Sequence, residues 1–268
     1  MSPQNPLPLQ IKQFESCGST NQELLAAAEA GASGGLVYVT TQQEAGRGRR
    51  GRQWVASPGT SLTLSLLWVF PPDLARLQGL SLLVGLAVVR ALHTWTASNR
   101  QAGMTPGLKW PNDLLVRRAD GTDAKAGGIL IESVMRRSAG GEKELAVVIG
   151  IGLNCLRDAA IDEQLPGKAV GTLSELFTAP LNPEAFLPHL LQTLVPMLGK
   201  FETSGFKPFS DAWNAHNLWR GQPVEIREDD RVVLQGRCDG VDESGALNIM
   251  TPAGLEQIVS GDVSLRRV

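Results

Sequence analysis

The sequence predicts an α/β body, a mixed β-sheet flanked by helices, followed by a small SH3-like β-barrel. Three observations carry this. Ser61 to Phe70 alternates, with Leu62, Leu64, Leu66, Trp68 and Phe70 on one face, the period of a half-buried strand in an antiparallel or mixed sheet. Leu74 to Trp95 is apolar nearly all round, as a helix buried on such a sheet would be. After Asn217 the texture changes to short β-rich segments at 223–228, 231–238, 245–250, 254–259 and 263–267, parted by turns that contain Gly or Asp. A cut near Trp219 divides the chain into residues 1–218 and 219–268.

The other elements follow in order. Residues 1–10 hold three prolines and read as an extended arm. From Ser19 the pattern is helical, with Leu24, Leu25 and Ala28 at helix spacing and Gly31 as the stop. Thr20-Asn21-Gln22-Glu23 has the form of a capping box, with Thr20 as cap and Glu23 reaching back. Gly35 to Thr41 reads as a strand, and a Gly/Arg loop follows at 46–52. Apolar segments at 107–116, 127–134 and 145–151 are further strands, the first two separated by a polar turn from Asp120 to Lys125. Pro183 to Phe201 and Phe206 to His216 read as helices on the outside of the body.

Composition narrows the function. The 268 residues carry a net charge of −2, which speaks against a protein built mainly to coat nucleic acid. With 43% hydrophobic and 19% charged residues, a real core can form. The first charged residue is Lys12, so no signal peptide is expected. The apolar, uncharged run from Leu77 to Val89 is shorter than the ~18 residues a membrane span needs. Three scattered cysteines without CxxC spacing suit a reducing cytoplasm, and three scattered histidines speak against a zinc site or a His relay.

Residues 46–52 spell GRGRRGR, placing Arg47, Arg49, Arg50 and Arg52 beside Gly46, Gly48 and Gly51. The glycines satisfy GxGxxG literally, but a dinucleotide fold needs a helix to open on that turn. RQWVASPGTSLTLSLLW is instead a turn and a strand, so that reading fails. A strongly positive loop remains. Arginine donors suit phosphate and carboxylate oxygens, and glycine lets the backbone approach. Two guanidinium groups ~4 Å apart repel by up to about 4 kcal/mol before screening, so the loop should be mobile when empty and order around an anion. On composition alone, a solvated basic loop or a nucleic-acid contact is as good a reading.

Three other strings bear on the choice. Lys109-Trp110-Pro111-Asn112-Asp113 ends an apolar segment, where Pro111 breaks any helix and turns Asn112 and Asp113 outward. An Asp beside an Asn suits Mg²⁺ held largely through water and substrate phosphate, or an ordinary turn. Lys125 precedes Gly127 and Gly128, which leave room for a ligand beside a buried strand. Gly150-Ile151-Gly152-Leu153-Asn154 ends another strand with a polar tip, where ligands collect in α/β proteins.

In their order, Ser19-Thr20-Asn21, Gln43 ahead of GRGRRG, KWPND, Lys125 ahead of Gly128-Ile129-Leu130, and GIGLN resemble the landmarks of biotin–protein ligases. They span residues 19 to 154, and the barrel after about 219 fits that family's C-terminal domain. The resemblance implies a mixed sheet related to class II aminoacyl-tRNA synthetases and a two-step reaction. Biotin and ATP give biotinyl-5′-AMP and pyrophosphate with Mg²⁺ present, and a lysine of a biotin carboxyl carrier domain then takes the biotinyl group. Neither step needs an enzyme nucleophile; positioning and charge stabilisation suffice.

The resemblance also implies residue roles. Ser19, Thr20, Asn21 and Gln43 hold the ureido ring, with Gly48, Gly127 and Gly128 beside the biotin. Arg47, Arg49 and Lys125 meet the carboxylate and α-phosphate and are the catalytic candidates. Arg50, Arg52, Trp54, Lys109, Asn112, Asp113 and Asn154 belong to the nucleotide, Trp54 by stacking on adenine, with Asp113 as the candidate metal ligand. Some bacterial members carry an N-terminal helix-turn-helix that represses biotin synthesis. Here 18 Pro-rich residues without helical periodicity precede Ser19, so the expectation is a ligase without a repressor role, monomeric or homodimeric, with no nucleic-acid or membrane partner. The alternatives are a lipoate–protein ligase, which shares fold and adenylation chemistry, and a nucleic-acid-binding module using the Gly/Arg loop. Glu44, acidic in a positive loop, has no explanation in the sequence.

Overall fold

The structure, a computed structural model, describes residues 5, 8–95, 99–165, 169–228, 231–259 and 263–268. Most of the expected N-terminal arm lies outside these residues.

The first sheet contains β1 (Gln10–Cys17), β2 (Leu36–Gln43), β3 (Ser61–Phe70), β4 (Thr105–Lys109), β5 (Asp113–Arg117), β6 (Asp123–Arg137) and β7 (Lys143–Asn154). Their spatial order is β1-β2-β3-β7-β6-β5-β4. Among the strand pairs of the described residues β1 and β2 are parallel and the others antiparallel, so the sheet is mixed, as expected. β1 has no counterpart in the sequence reading. It is an exposed edge strand whose QIKQFESC string lacks apolar alternation; it is held by its pairing with β2, with Phe14 edge-on to Tyr38 at 5.1 Å.

One face of this sheet is covered by α2 (Leu80–Thr94) packed on α4 (Pro183–Ser204). The expected helix from Leu74 begins only at Leu80, because Gly79 turns the chain with φ +80° and lies against Phe206. Leu74–Leu77 forms a separate 3-10 turn in which Asp73 accepts from the Ala75 N–H at 3.0 Å. The stretch Leu74–Thr94 is long and apolar enough to cross a membrane, but α2 is taken up between sheet and α4. α4 is therefore a core helix on one side, burying Phe186, Leu190, Leu194, Leu198 and Phe201, and not merely an outer one. The helix expected from Phe206 is reduced to a 3-10 turn at Lys207–Phe209 and α5 (Ser210–His216). A short α3 (Ala159–Gln164) went unread in the sequence.

The opposite face decides where a ligand can sit. α1 (Thr20–Glu29) lays Leu24 and Ala28 on Leu67, Ala146 and Val148, and burying Leu24 contributes about 2 kcal/mol. Its C-terminus closes on Gly31, at φ +91°, where Gly31 N–H bonds Ala28 O and Ala32 N–H bonds Ala27 O, satisfying two end carbonyls. At the other end the expected capping box does not form. Ser19 is the N-cap residue, and Thr20 lies within the helix with its hydroxyl turned to other partners. All ten residues of β3 are buried, so the half-buried expectation is corrected: α1 and neighbouring chain cover its second face. Beyond the first turn of α1, that face carries Thr63, Ser65, Gly128, Gly150 and Gly152, small residues that leave a hollow.

The segment expected as one strand at 107–116 is a hairpin, β4 and β5, with the cis Trp110–Pro111 bond and Asn112 at its turn. The turn expected over Asp120–Lys125 is shorter, since β6 starts at Asp123. After Trp219 the chain forms β8 (Pro223–Glu228), β9 (Arg231–Val241), β10 (Leu247–Thr251), β11 (Gly254–Ile258) and β12 (Val263–Arg267), a five-stranded antiparallel sheet in the order β11-β10-β9-β8-β12. These are the five strands expected of the SH3-like unit. Val224, Ile226, Leu247, Ile249 and Leu265 join the hydrophobic core of the first sheet, so the two sheets share one interior. Trp110 Nε1 donates to Gly245 O at 3.2 Å and ties the β4–β5 turn to the second sheet.

Candidate active site

The hollow on the α1 face is a cavity of about 540 Å³, within the usual range for small-molecule sites. Every residue named from the sequence as a site candidate lines it except Gly127. A β-carbon on Gly127 would meet Leu153 and the Gly152 carbonyl, so this glycine serves strand packing and its ligand role is corrected.

One end of the cavity is a hydrogen-bonding seat built on the first turn of α1. Ser19, Thr20 and Asn21 are buried there. Gln43 Oε1 accepts the Thr20 N–H at 2.9 Å, doing the work the expected cap would have done. Ser65 Oγ contacts Thr20 Oγ1 at 2.8 Å and Asn21 Oδ1 at 2.5 Å. Asn21 occupies the space a side chain at Gly150 would fill: a β-carbon there would stand 2.2 Å from Asn21 Oδ1. Asn21 Nδ2 donates to Glu132 Oε2 at 2.9 Å.

The Gly/Arg loop arches over this seat. Gly48 N–H donates to Arg52 O at 2.7 Å and Trp54 N–H to Gly46 O at 2.9 Å, which draws residues 46–54 into a small hairpin. Gly46 is required, because a β-carbon would stand 2.3 Å from Trp54 O. Arg50, at φ +60°, and Gly51, at φ +69°, form its tip. The repulsion expected among the arginines is relieved by partners: Arg47 Nη1 lies 3.2 Å from Glu132 Oε1, and Arg49 and Arg50 are engaged as well. Glu44 also has its explanation. It accepts from Ser16 Oγ at 2.7 Å and its N–H bonds Cys17 O, joining the loop base to β1.

The other end is cationic. Asp113 Oδ1 lies 2.5 Å from Lys125 Nζ and Oδ2 lies 3.1 Å from Lys109 Nζ. Burial alone would raise the Asp113 pKa, but the charges and hydrogen bonds of Lys125 and Lys109 outweigh it and hold the group at about 2. Burial pushes the Lys109 pKa down against the pull of Asp113, and Nζ sits 4.8 Å over the Trp219 ring. Asp113 therefore points inward, contrary to the outward turn expected. Both its oxygens are committed to ammonium groups, so it does not fit as a Mg²⁺ ligand. Among the described residues no cluster of three or more His, Cys, Asp or Glu could hold a metal.

Between the two ends lies Trp54. Its indole packs where Gly152 has no side chain, near Gly128, with Lys125 Nζ 5.9 Å from the ring. Trp54 Nε1 and Thr63 Oγ1 are buried without a partner, unusual for polar atoms in a finished interior. Asn112 and Asn154 line the cavity but spend their amides on the scaffold. Asn112 Nδ2 donates to Ile129 O at 2.8 Å, and Asn154 Nδ2 to Gly171 O at 3.3 Å and Lys125 O at 3.4 Å. Arg52 completes the wall beside Arg49 and Arg50.

Several wall residues were missed in the sequence. Thr63 stood as a polar position in the apolar strand β3, a legible signal, as did Ser65, which stands behind the wall against Thr20 and Asn21. Trp219 and Arg266 gave none, since they reach the cavity only through the junction of the two sheets, and neither did Asp123, the β6 residue that accepts from Trp219 Nε1 at 3.0 Å. No His lines the cavity, and burial pushes the Cys155 thiol up to about 12. The arrangement can bind an uncharged polar group at one end and an anion at the other.

Residues 14–154 match the biotin/lipoate A/B protein ligase family. The chain belongs to this family. Residues 221–266 match the biotin protein ligase C-terminal domain, which accounts for the second sheet. The chain is 34% identical over 249 residues to a biotin–[acetyl-CoA-carboxylase] ligase of Paracoccus denitrificans, covering 91% of this chain and 96% of that protein. It is 30% identical over 248 residues to the bifunctional ligase/repressor BirA of Escherichia coli, covering 92% of this chain and 71% of that one. Among solved structures it resembles a biotin protein ligase from Aquifex aeolicus in complex with biotin and ATP, with a TM-score of 0.74, 27% identity, and coverage of 97% of this chain and 99% of that one.

Proposed function

We propose that the protein is an ATP-dependent ligase that activates biotin as biotinyl-5′-AMP and transfers it to a lysine of a biotin carboxyl carrier domain. The observation that carries this reading is the two-ended cavity, a seat of Thr20, Asn21 and Gln43 facing a Lys109–Asp113–Lys125 cluster across Trp54. The family's members named as biotin ligases support it.

In this reading Ser19, Thr20, Asn21 and Gln43 bind the ureido group, with Gly48 and Gly128 giving room for the bicycle. The pairing of Arg47 with Glu132 supports a place for Arg47 at the ring end, in place of the carboxylate and α-phosphate role that the resemblance implied. Arg49 and Lys125 meet the carboxylate and the α-phosphate. A carboxylate oxygen attacks the α-phosphorus and pyrophosphate leaves. Positive charge at Lys125 and Arg49 stabilises the equatorial oxygens of that transition state more than the ground state. Arg50, Arg52 and Lys109 take the rest of the triphosphate, Trp54 flanks the adenylate, and Asn112 and Asn154 brace the walls. Mg²⁺ enters as part of the nucleotide substrate, held by triphosphate and water, because Asp113 is committed to its lysines. In the second step a carrier lysine amine attacks the acyl carbonyl and AMP leaves.

Residues 1–218 form the catalytic unit and 219–268 a second unit that lends Trp219 and Arg266 to the nucleotide end. The three free cysteines suit a reducing cytoplasm. The test is ATP–pyrophosphate exchange with biotin and with lipoate as sole acyl substrate. Exchange with biotin and none with lipoate is expected; the reverse rejects the reading.

A further inference from the structure

Glu132 is a carboxylate on a stretch of β6 that otherwise presents Gly128, Leu130 and Val134 toward α1 and the cavity, and no step of the reaction above uses it. Its side chain is largely buried, and its two oxygens have separate partners. Oε1 holds Arg47 Nη1 at 3.2 Å and Oε2 accepts from Asn21 Nδ2 at 2.9 Å. We infer that Glu132 is a positioning residue that fixes the hydrogen-bond polarity of the ring seat, making the Thr20 hydroxyl an acceptor and so selecting a ligand that offers a ring N–H. The inference rests on the assignment of that seat to the ureido group.

The chain of causes is short. An ionised carboxylate can only accept, and so can the Leu130 carbonyl at 3.4 Å from the same nitrogen, so the amide nitrogen of Asn21 faces Glu132, its nearer partner at 2.9 Å, and its oxygen faces Ser65. Asn21 Oδ1 lies 2.5 Å from Ser65 Oγ and, being an acceptor, takes the one Ser65 proton. The 2.8 Å contact between Ser65 Oγ and Thr20 Oγ1 then needs the proton of Thr20. Gln43 Oε1 is already bonded to the Thr20 N–H at 2.9 Å and is 3.3 Å from the Thr20 hydroxyl, the weaker of the two hydroxyl contacts. Thr20 Oγ1 therefore turns lone pairs, and no proton, toward the cavity it lines. A ureido N–H fits this atom, whereas a ring oxygen at the same place would be left against it without a bond.

Glu132→Gln tests the polarity at nearly constant volume. Arg47 is donor-only and retains the glutamine oxygen, which leaves the glutamine NH₂ facing Asn21 and favours a flipped Asn21 amide. Ser65 is then free to donate to Thr20, and Thr20 to the ligand. Biotin is compared with its cyclic carbamate analogue, in which a ring oxygen replaces one ureido N–H, by calorimetric Kd and by KM and kcat of adenylate formation. The wild type should prefer biotin by about tenfold or more, the value of one lost hydrogen bond, and Glu132→Gln should bring that ratio close to one, by a change in KM with little change in kcat. If Glu132→Gln does not fold, Ser65→Ala, which breaks the same chain between Asn21 and Thr20, decides in its place. A preference for biotin that persists at the wild-type ratio in the folded variant overturns the inference. Failure of the wild type to form any adenylate from biotin instead rejects the functional assignment, so the two failures are distinct.

Discussion

Lys125 and Asp113 form a tight ion pair, Nζ to Oδ1 at 2.5 Å, across the gap between two neighbouring strands. The same carboxylate holds the more deeply buried Lys109 through its other oxygen. One acidic group thereby keeps two cations in register at the end of the cavity assigned to phosphate, and the cluster retains net positive charge for an anion.

Replacing Asp113 by Asn should leave both lysines without a counter-charge, at a cost of about 3 kcal/mol. The folded carboxyl is held at about 2 against an ordinary 3.8, so its contribution is fully present above pH 3.8 and is lost as pH falls toward 2. Urea unfolding of the wild type and Asp113→Asn should therefore differ clearly at pH 6, and the difference should shrink between pH 4 and 2.

Lys125→Ala removes a cation that the proposed mechanism uses mainly in the transition state. Single-turnover adenylate formation should fall by about a hundredfold or more, while biotin Kd shifts by less than about threefold. An unchanged rate of adenylate formation would remove Lys125 from the chemistry.

Gly150→Ala places a β-carbon 2.2 Å from Asn21 Oδ1, so Asn21 must shift within the seat. The expected outcome is a folded protein whose KM for biotin rises by about tenfold or more, with little change in that for ATP. Gly199→Ala is the matched control, since nothing lies within 4 Å of its β-carbon and it sits inside α4. It should gain stability by about 0.5–1 kcal/mol and keep the wild-type KM.

The thiols give a third kind of readout. Cys155 is buried and its pKa is pushed up to about 12, and burial also raises that of Cys238. Burial raises the pKa of Cys17 too, but this half-buried thiol is the accessible one of the three, so exposure alone sets the selectivity. In native protein at pH 8 a thiol reagent should modify Cys17 alone, with Cys155 and Cys238 reacting only in denaturant. Rapid native labelling of Cys155 would show that the strand end at β7 opens.

What the sequence made legible followed from periodicity and from order. β3, α2 and the five C-terminal strands announced themselves because their apolar patterns match the periods of strand and helix, and the site strings lay in a sequence that few folds share. What stayed hidden depends on contacts distant along the chain. β1 is held by pairing rather than by burial, so its residues carry no strand pattern. Thr20 looked like a helix cap until Gln43, 23 residues away, supplied the acceptor. Glu132 looked like an ordinary polar position on a strand, and only folding brings Arg47 and Asn21 to its two oxygens. Trp219 and Arg266 enter the cavity because the two sheets share a core, which no local pattern encodes.

Biotin transfer through an adenylate is read out by incubating the full chain with biotin, MgATP and a purified biotin carboxyl carrier domain and recording the intact mass of the carrier. The carrier should gain one biotinyl group at a single lysine, dependent on both ATP and biotin and absent when lipoate replaces biotin. A carrier that stays unmodified with biotin, or gains a lipoyl group in its place, would contradict this expectation.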